Sequence, residues 1–392
     1  MDPGPPLVCP QRAGTAWREM SASMRAVLAE VLVHGPLPRA QLARRLMLSP
    51  ASLTKLTRPL LDQGLLVEDR ARLQLGSGRP AQPLDVLAGY RQFIGIKPNW
   101  DDLFAVRTDL RAAVLADFHM ALPSREVADV VEVIAMAIDS LDPMSEVGEI
   151  GISLPGNVRA GDAVVRESAY LGWVNVPLAE LVAKRTGRRV ILSNDVQALT
   201  AAQHWFGAGT GSSCFALVVA GKGLGCGMVV NNQLVAGYDG RAGLASHLPI
   251  REGGPLCWRG HRGCASSYLT TGAISRALAA LYPGSVTTFE DCLERARAGD
   301  AAALRVFQDA CHALGVLVAH VVNLIGPERV VLSGEGIEML DIAPHALQTG
   351  IEEHLHADAS PFTTIVRPFA FTEWARGAAV AAIQATINLP YR

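Results

Sequence analysis

No stretch of the 392-residue sequence offers the roughly eighteen or more uninterrupted apolar residues that a membrane-spanning helix needs. The first residues contain no basic region followed by an apolar run, so we expect no secretory signal peptide. The seven cysteines are odd in number and scattered, which does not fit a disulfide framework and favours a reducing compartment. We therefore expect a cytoplasmic protein with no membrane partner.

Charged side chains are also few, at 18% of residues, and their distribution is uneven. Residues 21–80 contain nine Lys or Arg and four acids, a balance of +5, whereas the whole chain carries −2 and the remainder therefore −7. A basic segment on an acidic body indicates that the first eighty residues contact a polyanion. A merely solvated basic face is the alternative.

Helical periodicity begins after residues 1–20, which are rich in Pro and Gly and which we expect to be a flexible leader. Two short helical stretches follow. A third helix starts at Ser49, a good N-cap, because Pro50 suits the first helical position. An alternating segment over 65–75 is typical of a wing. Residues 21–76 are therefore predicted to form a winged helix-turn-helix domain that binds duplex DNA.

The third helix of this domain is predicted to enter the major groove with its polar side chains toward the base edges. Pro59 lies inside that helix, where it removes a hydrogen bond and tends to bend the axis. A three-helix core with no nucleic-acid role is the alternative. The side chains of this domain that we predict to contact DNA are Arg39, Ser52, Thr54, Lys55, Arg58, Arg70 and Arg72.

A linker rich in Gly and Pro, residues 77–90, separates this domain from the rest of the chain. From residue 91 onward the pattern changes to strands that alternate with helices. This order predicts an α/β body over residues 91–392. At this length the whole chain can form two or three domains with large cores.

Asn194 and Asp195 follow a strand that is apolar over residues 190–192. Ligand sites of α/β sheets form at the carboxyl ends of such strands. A carboxylate only accepts hydrogen bonds, whereas an amide both donates and accepts, so the pair suits the hydroxyls of a sugar. Helix N-capping by either residue is the alternative, and both roles can coexist.

Four residues with metal-binding side chains, His247, Cys257, His261 and Cys264, lie within eighteen residues of one another. A Cys-x6-Cys loop with a His ten residues upstream can close tetrahedrally on one zinc ion. Arg259 argues against an ion unless its guanidinium points outward, because like charges repel. A metal-free loop held by packing and hydrogen bonds is the alternative.

The segment 240–266 resembles the signature of the ROK family of sugar-responsive repressors and sugar kinases, Gly-Glu-x-Gly-His followed by Cys-x-Cys-Gly-x-x-Gly-Cys-x-Glu. This chain departs from the signature at Leu244, Ser246, Arg259 and Ser266, which stand for Glu, Gly, Cys and Glu. The other segments that resemble the family are 154–158, 171–178, 190–199 and 374–378.

The resemblance implies a winged helix-turn-helix followed by a two-lobed, actin-like sugar-kinase (ribonuclease H-like) body. It implies two lobes divided near residue 195, a C-terminal helix that returns to the first lobe, and a homodimer or higher oligomer. Gly78-Arg79-Pro80 matches the family's linker, so Arg79 is expected to contact the minor groove, where a narrow groove attracts arginine. An ordinary solvated linker charge is the alternative.

The family's metal site uses one His and three Cys, so His261 is the only nearby replacement for the cysteine lost at Arg259. In the family's kinases the residue matching Asp195 takes the proton from the sugar hydroxyl. Asn194, Asp195 and His247 remain of the family's sugar contacts, whereas Leu244 and Ser266 replace two acids. The effector is thus expected to be an unusual sugar-derived ligand or absent, and His247 can also be a buried structural histidine.

The phosphate-binding turns of the family's kinases are only partly present. In place of Asp-x-Gly-Gly-Thr the chain has Lys97-Pro-Asn-Trp-Asp101, which lacks both glycines. The glycine loop 221–227 matches the second phosphate segment, although such glycines more often serve a tight hairpin. We therefore predict a transcriptional regulator, a repressor of carbohydrate-related genes without kinase activity. A sugar kinase with an accessory N-terminal domain, or a regulator controlled by a protein partner, is the alternative.

Overall fold

The computed structural model describes residues 20–68, 82–158, 162–282 and 288–387. The chain forms two compact units, the first of residues up to Gly211 together with the segment from Phe371, the second of residues Ser212–Ala370. The division therefore falls after residue 211, whereas the sequence predicted it near residue 195. The reason is that the helix beginning at Asp195 packs against the C-terminal helix within the first unit.

Three helices and a small sheet form the N-terminal module. Ser21 and Ser49 cap the first and third helices with their side chains, and the cap at Ser49 was predicted. Pro59 lies inside the third helix, as the sequence indicated. The elements are α1 (Ala22–His34), α2 (Arg39–Arg45), α3 (Pro50–Asp62), β1 (Leu66–Glu68) and β2 (Leu84–Val86).

The second strand of the wing lies inside the segment that the sequence predicted as linker. β2 pairs antiparallel with β1, Leu66 opposite Val86 and Glu68 opposite Leu84, and a short 3-10 helix, Ala88–Tyr90, follows it. Leu84 and Val86 are buried in the core of the module, which holds the segment in place. The prediction of a linker over 77–90 is therefore wrong for residues 84–90. Arg70, Arg72 and Arg79 lie outside the described residues.

A five-stranded mixed sheet, in the order β5-β4-β3-β6-β9, forms the body of the first unit. β3, β6 and β9 are parallel, so their carboxyl ends meet at one edge. The elements are β3 (Phe93–Pro98), β4 (Asp102–Thr108), β5 (Val114–Ala121), α4 (Val127–Leu141), β6 (Glu149–Leu154), β7 (Val165–Ser168), β8 (Trp173–Val176), α5 (Leu178–Thr186), β9 (Arg189–Asn194) and α6 (Asp195–Phe206).

The C-terminal helix, Phe371–Ile387, lies directly on this sheet. Gly95 of β3 and Gly151 of β6 permit the close approach, because a Cβ on either would lie within 2 Å of a helix carbonyl, 1.9 Å from that of Ala375 and 1.8 Å from that of Ala378. The helix therefore fixes β3, whose carboxyl end carries Lys97, and the neighbouring strand β6.

The second unit contains another five-stranded sheet, in the order β12-β11-β10-β13-β14, in which β10, β13 and β14 are parallel. Its elements are β10 (Phe215–Ala220), β11 (Leu224–Val230), β12 (Gln233–Leu234), α7 (Ser266–Leu269), α8 (Thr271–Ala279), α9 (Phe289–Arg297), α10 (Ala301–Ile325), β13 (Arg329–Ser333), α11 (Met339–Ile342), α12 (Pro344–His354) and β14 (Thr363–Val366).

Among the described residues, α10 alone is long and apolar enough to cross a membrane by length and composition. The helix is interrupted by charged and polar side chains, including Arg305 and Asp309. Its apolar residues, among them Phe307, Leu314 and Leu317, are buried in the core of the second unit. Burial of this kind is typical of the core helix of a globular protein.

Candidate functional site

Lys97 and Asp195 form a buried ion pair at the carboxyl edge of the first sheet. The ammonium Nζ of Lys97 lies 2.6 Å from Oδ2 of Asp195, and only 6% and 10% of the two side chains are exposed. The other carboxylate oxygen, Oδ1, accepts from the amide of Val196. Lys97 also lies 5.2 Å from the centre of the Trp374 ring, a cation–π distance. Both oxygens of the predicted ligand-binding carboxylate are therefore engaged within the protein.

Asn194 serves the fold at the start of α6. Its Oδ1 accepts from the amide of Gln197 at 3.1 Å, which makes it the N-cap of the helix. Its Nδ2 donates to the carbonyl of Gly156 at 3.1 Å. The capping role that the sequence left open is thus present, and contact of Asn194 or Asp195 with a ligand stays a prediction.

The loop after β3 is filled with aromatic side chains. Asn99 is buried and its Oδ1 accepts from the hydroxyl of Tyr170 at 3.0 Å. The rings of Trp100 and Tyr170 meet edge to face at 5.2 Å, and the Arg125 guanidinium lies 3.9 Å from the centre of the Trp100 ring. Sequence reasoning missed Tyr170, Arg125 and Trp374, because their partners are distant in sequence and no local pattern identifies them.

The glycine loop of the second unit is a tight hairpin between β10 and β11, the alternative that the sequence left open. Its amide at Lys222 donates to Oε2 of Glu335 at 2.7 Å. A Cβ on Gly221 would lie 2.4 Å from the same oxygen. A carboxylate therefore uses a turn amide of the kind that would bind a phosphate, and its charge repels an anion.

The four predicted metal ligands come together in the second unit. One donor atom of each of His247, Cys257, His261 and Cys264 lies within 4.8 Å of the others. Nδ1 of His247 is 3.8 Å from Sγ of Cys257 and 3.5 Å from Sγ of Cys264, and Nδ1 of His261 is 3.7 Å from Sγ of Cys257. Tetrahedral zinc, with bonds of about 2.0 Å to nitrogen and 2.3 Å to sulfur, separates such atoms by about 3.5 Å.

Two left-handed glycines shape the metal loop. Gly260 has φ of 85° and Gly263 has φ of 63°, and a Cβ on Gly263 would lie 1.7 Å from the carbonyl oxygen of Arg251. These turns bring His261 to 4.5 Å from His247 between ring centres. Arg259 is exposed and its guanidinium lies 4.7 Å from the centre of the neighbouring Trp258 ring. The guanidinium therefore stacks on Trp258, and its charge still acts on His247.

Two of the four predicted ligands, Cys257 and His247, are shifted toward their metal-binding forms, whereas burial raises the pKa of the Cys264 thiol. Burial raises the pKa of the Cys257 thiol, but hydrogen bonds with the backbone of Arg259 and His261, with the Cys264 side chain and with the Gly260 backbone outweigh burial, so that pKa is lowered. Burial lowers the pKa of His247, and the charges of His261 and Arg259 lower it further. Thiolate and neutral imidazole are the forms that bind metals.

The predicted DNA contacts occupy different positions in the N-terminal module. The side chains of Ser52, Thr54, Lys55 and Arg58 are exposed on α3. Arg39, at the start of α2, instead pairs with Glu68 of the wing at 2.7 Å and donates to the Gln82 carbonyl at 3.4 Å. A DNA phosphate would have to compete with Glu68 for Arg39.

A winged helix-turn-helix joined to two α/β units, each with a five-stranded sheet, defines a DNA-binding module on a sugar-kinase-like body, and the predicted fold class is confirmed. The chain belongs to the ROK family, whose model matches residues 95–385.

Relatives of the chain include regulators and kinases. The DNA-binding transcriptional dual regulator NagC of Escherichia coli K12 is 29% identical over 333 residues, 81% of each chain. The crystal structure of a ROK family transcriptional regulator, a homologue of the E. coli MLC protein, has 25% identity, a TM-score of 0.77 and 97% coverage of both chains. A glucokinase of Thermotoga maritima is 32% identical over 220 residues, 53% of this chain and 69% of its own.

Proposed function

We propose that the chain is a DNA-binding transcriptional repressor of carbohydrate-related genes and does not phosphorylate sugars. The ion pair between Lys97 and Asp195 carries the proposal, because it occupies the carboxylate that a kinase would use as base. The share of this chain that each relative covers also supports the proposal. The similar regulator structure covers 97% of this chain, including the N-terminal module, whereas the glucokinase covers 53%.

DNA recognition is assigned to α3. Ser52, Thr54, Lys55 and Arg58 are exposed on the helix that follows the turn of the module, the position from which such helices read base edges. Arg39 is expected to contact phosphate after release from Glu68. Arg70, Arg72 and Arg79 are proposed to add further contacts with DNA.

Loss of kinase chemistry follows from two occupied positions. A general base must lie within hydrogen-bond reach of the proton that it removes, and a sugar hydroxyl at Asp195 would have to compete with the partners already bound there. Oδ2 of Asp195 instead binds the Lys97 ammonium and Oδ1 binds a backbone amide. In the second unit, Glu335 accepts from the amide of Lys222 in the glycine turn and would repel a phosphate there.

The effector is proposed to be a sugar or sugar derivative that binds at Asn194 and Asp195. Such a ligand must compete with Lys97 for the carboxylate, which costs affinity because buried polar groups lose a partner. Nδ1 of His247 faces the two sulfurs, and contact of His247 with an effector stays a prediction. We therefore expect this site to bind a sugar only weakly.

We assign zinc to the cluster of His247, Cys257, His261 and Cys264. The donor set and spacing fit a four-coordinate structural site, and His261 replaces the cysteine that the family has at Arg259. When bound, the ion would supply a cross-link that holds the loop closed. We further propose that the protein is cytoplasmic and forms a homodimer or higher oligomer.

A selection from random DNA tests the function. The full chain is mixed with random-sequence duplexes at low salt, and the bound duplexes are amplified and sequenced. We expect one motif to be enriched, and Lys55→Ala with Arg58→Ala to abolish the enrichment. Arg305→Ala, at an exposed site on α10, is the matched control and should retain it. Absence of any enrichment with the unmutated chain contradicts the proposal.

A further inference from the structure

A shallow cavity of about 520 Å³, wide open to solvent, lies in the first unit, beside the contact between the N-terminal module and the sheet. Its volume is within the range of small-molecule sites, roughly 300–1,000 Å³. The side chains that define its character are Val33 of α1, Arg111 and Val114 around the β4–β5 turn, Trp205 and Phe206 of α6, and Arg376 of the C-terminal helix.

Arg111 connects the body to the DNA-binding module. Its guanidinium donates to the carbonyls of Val31 and Gly35, at the end of α1, at 3.3 and 3.5 Å. It also pairs with Asp85 in the wing strand β2. One side chain thus holds both the first helix and the wing, and any molecule that competes for it changes how the module is held.

Arg376 fixes the turn that carries Arg111. Its Nε donates to the carbonyl of Ala112 at 2.8 Å, Nη2 donates to that of Phe206 at 3.1 Å, and Nη1 pairs with Glu373 at 3.0 Å. Ala112 has φ of 56°, an unusual value for a residue with a Cβ, so the turn is held in place by its surroundings.

The charges and apolar walls of the cavity point to one ligand class. Two arginines, Arg111 and Arg376, and one acid, Glu373, line it, a balance of +1 among the lining side chains, and Asp85 pairs with Arg111 beside it. Each guanidinium has five N–H donors, and the three bonds of Arg376 leave two over. Trp205, which is largely buried, and half-buried Phe206 add aromatic side chains to the lining. An anion with an aromatic body satisfies both features.

We propose that this junction cavity binds a small aromatic carboxylate and that its occupation weakens the hold on the DNA-binding module. The carboxylate competes with the Val31 and Gly35 carbonyls and with Asp85 for Arg111. A ligand shifts a conformational equilibrium only through different affinities for the two states, and the competition for Arg111 provides that difference. The binding claim stands on the cavity alone, whereas the effect on DNA rests on the proposed function.

Calorimetry on the full chain with benzoate as probe, and with the neutral isostere benzamide, tests the site. Benzoate should bind saturably and at least about tenfold more tightly than benzamide, because a charge-assisted hydrogen bond is lost with the charge. Ala113→Trp fills the exposed rim of the cavity without removing a side-chain hydrogen bond. It should weaken benzoate binding by at least about tenfold. Ala121→Trp, at the exposed far end of β5, is the matched control and should leave it unchanged.

The outcomes separate the two claims. No saturable binding, equal affinity for benzamide, or unchanged binding by Ala113→Trp overturns the site. Saturable binding that leaves the affinity for the selected DNA motif unchanged overturns the coupling through Arg111. A chain that enriches no DNA motif but binds benzoate as described refutes the repressor function and leaves the site standing.

Discussion

Lys97 and Asp195 are 98 residues apart in sequence, and the side-chain atoms Nζ and Oδ2 lie 2.6 Å from each other at the carboxyl edge of the first sheet. The lysine stands where the family's kinases have an acid at the phosphate turn. Its charge therefore neutralises the retained carboxylate instead of binding a nucleotide. Lys97 thus stands in place of that acid and pairs with the carboxylate that matches the base of the family's kinases.

The buried pair is expected to be strongly coupled in stability. Lys97→Met leaves the buried Asp195 carboxylate without its ion-pair partner, and Asp195→Asn leaves the buried Lys97 ammonium without its partner. Each substitution should lower the free energy of unfolding by about 3–5 kcal/mol. The double variant should lose clearly less than the sum, because neither charge remains. Chemical denaturation of the four proteins measures the coupling. The exposed pair of Arg185 and Glu132 is the control, and its double-mutant cycle should give a coupling energy close to zero. The prediction is contradicted if the coupling energy of Lys97 and Asp195 is equally small.

Sugar phosphorylation should be absent. A coupled ATP assay across common hexoses and pentoses is expected to give no turnover for the unmutated chain. Lys97→Asp alone should not create activity, because the loop lacks the two glycines and Glu335 still accepts from the turn amide at Lys222. Turnover that disappears in Asp195→Asn would favour the kinase function and refute the repressor assignment.

Zinc content tests the four-ligand cluster. Protein purified without a metal-affinity tag should contain about one zinc per chain, and Cys264→Ser should lose most of it. Cys214→Ser, a cysteine outside the cluster, is the control and should retain the metal. Arg259→Cys restores the family's ligand and should slow zinc loss to a chelator. Zinc well below one per unmutated chain would mean that packing alone holds the loop.

Much of the fold could be predicted because its signals are local. Helical periodicity and the Ser49 cap identified the N-terminal helices, and alternation identified the sheets. The strand over Leu84–Val86 was missed because three residues are too short for a periodic signal, and its partner lies on the far side of residues 69–81. The boundary between the two units was expected near residue 195 and lies after residue 211, because α6 packs on the C-terminal helix within the first unit.

The candidate site was predictable only in part. The metal ligands were identified because all four lie in one short segment with suitable spacing. The sequence assigned Asp195 to a ligand and treated Lys97 merely as a lost acid, since no local pattern joins residues in separate strands. Arg39 was expected to face DNA, yet Glu68 in the wing attracts it at 2.7 Å. Long-range charge pairing decides such cases, and only the tertiary structure contains it.

The cap of α10 should make stability depend on pH. Asp300 accepts from Tyr282 and from the amides of Ala302 and Ala303, and the hydrogen bond from Tyr282 is the largest influence that lowers its pKa. A lowered pKa in the folded state stabilises the protein above the ordinary value of about 3.9, and this contribution is lost as pH falls through the folded value. Asp300→Asn keeps a side chain that can cap α10 but removes the carboxyl group that titrates. Its melting temperature should fall less steeply between about pH 5 and 3 than that of the unmutated chain; parallel curves contradict the prediction.

DNA affinity should depend on salt in a way that separates two kinds of contact on α3. If Lys55 contacts phosphate, Lys55→Ala should weaken binding to every duplex alike and reduce the slope of log affinity against log salt by about one. If Arg58 contacts a base edge, Arg58→Ala should weaken the selected motif more than other sequences, by about 1–3 kcal/mol, and so relax specificity. Titrations of both variants with the selected motif and a scrambled duplex, at several salt concentrations, distinguish the two. If Arg58→Ala changes the slope but not the specificity, Arg58 contacts the DNA backbone. The base edges would then be contacted by Ser52 and Thr54, which are exposed on the first two turns of the same helix.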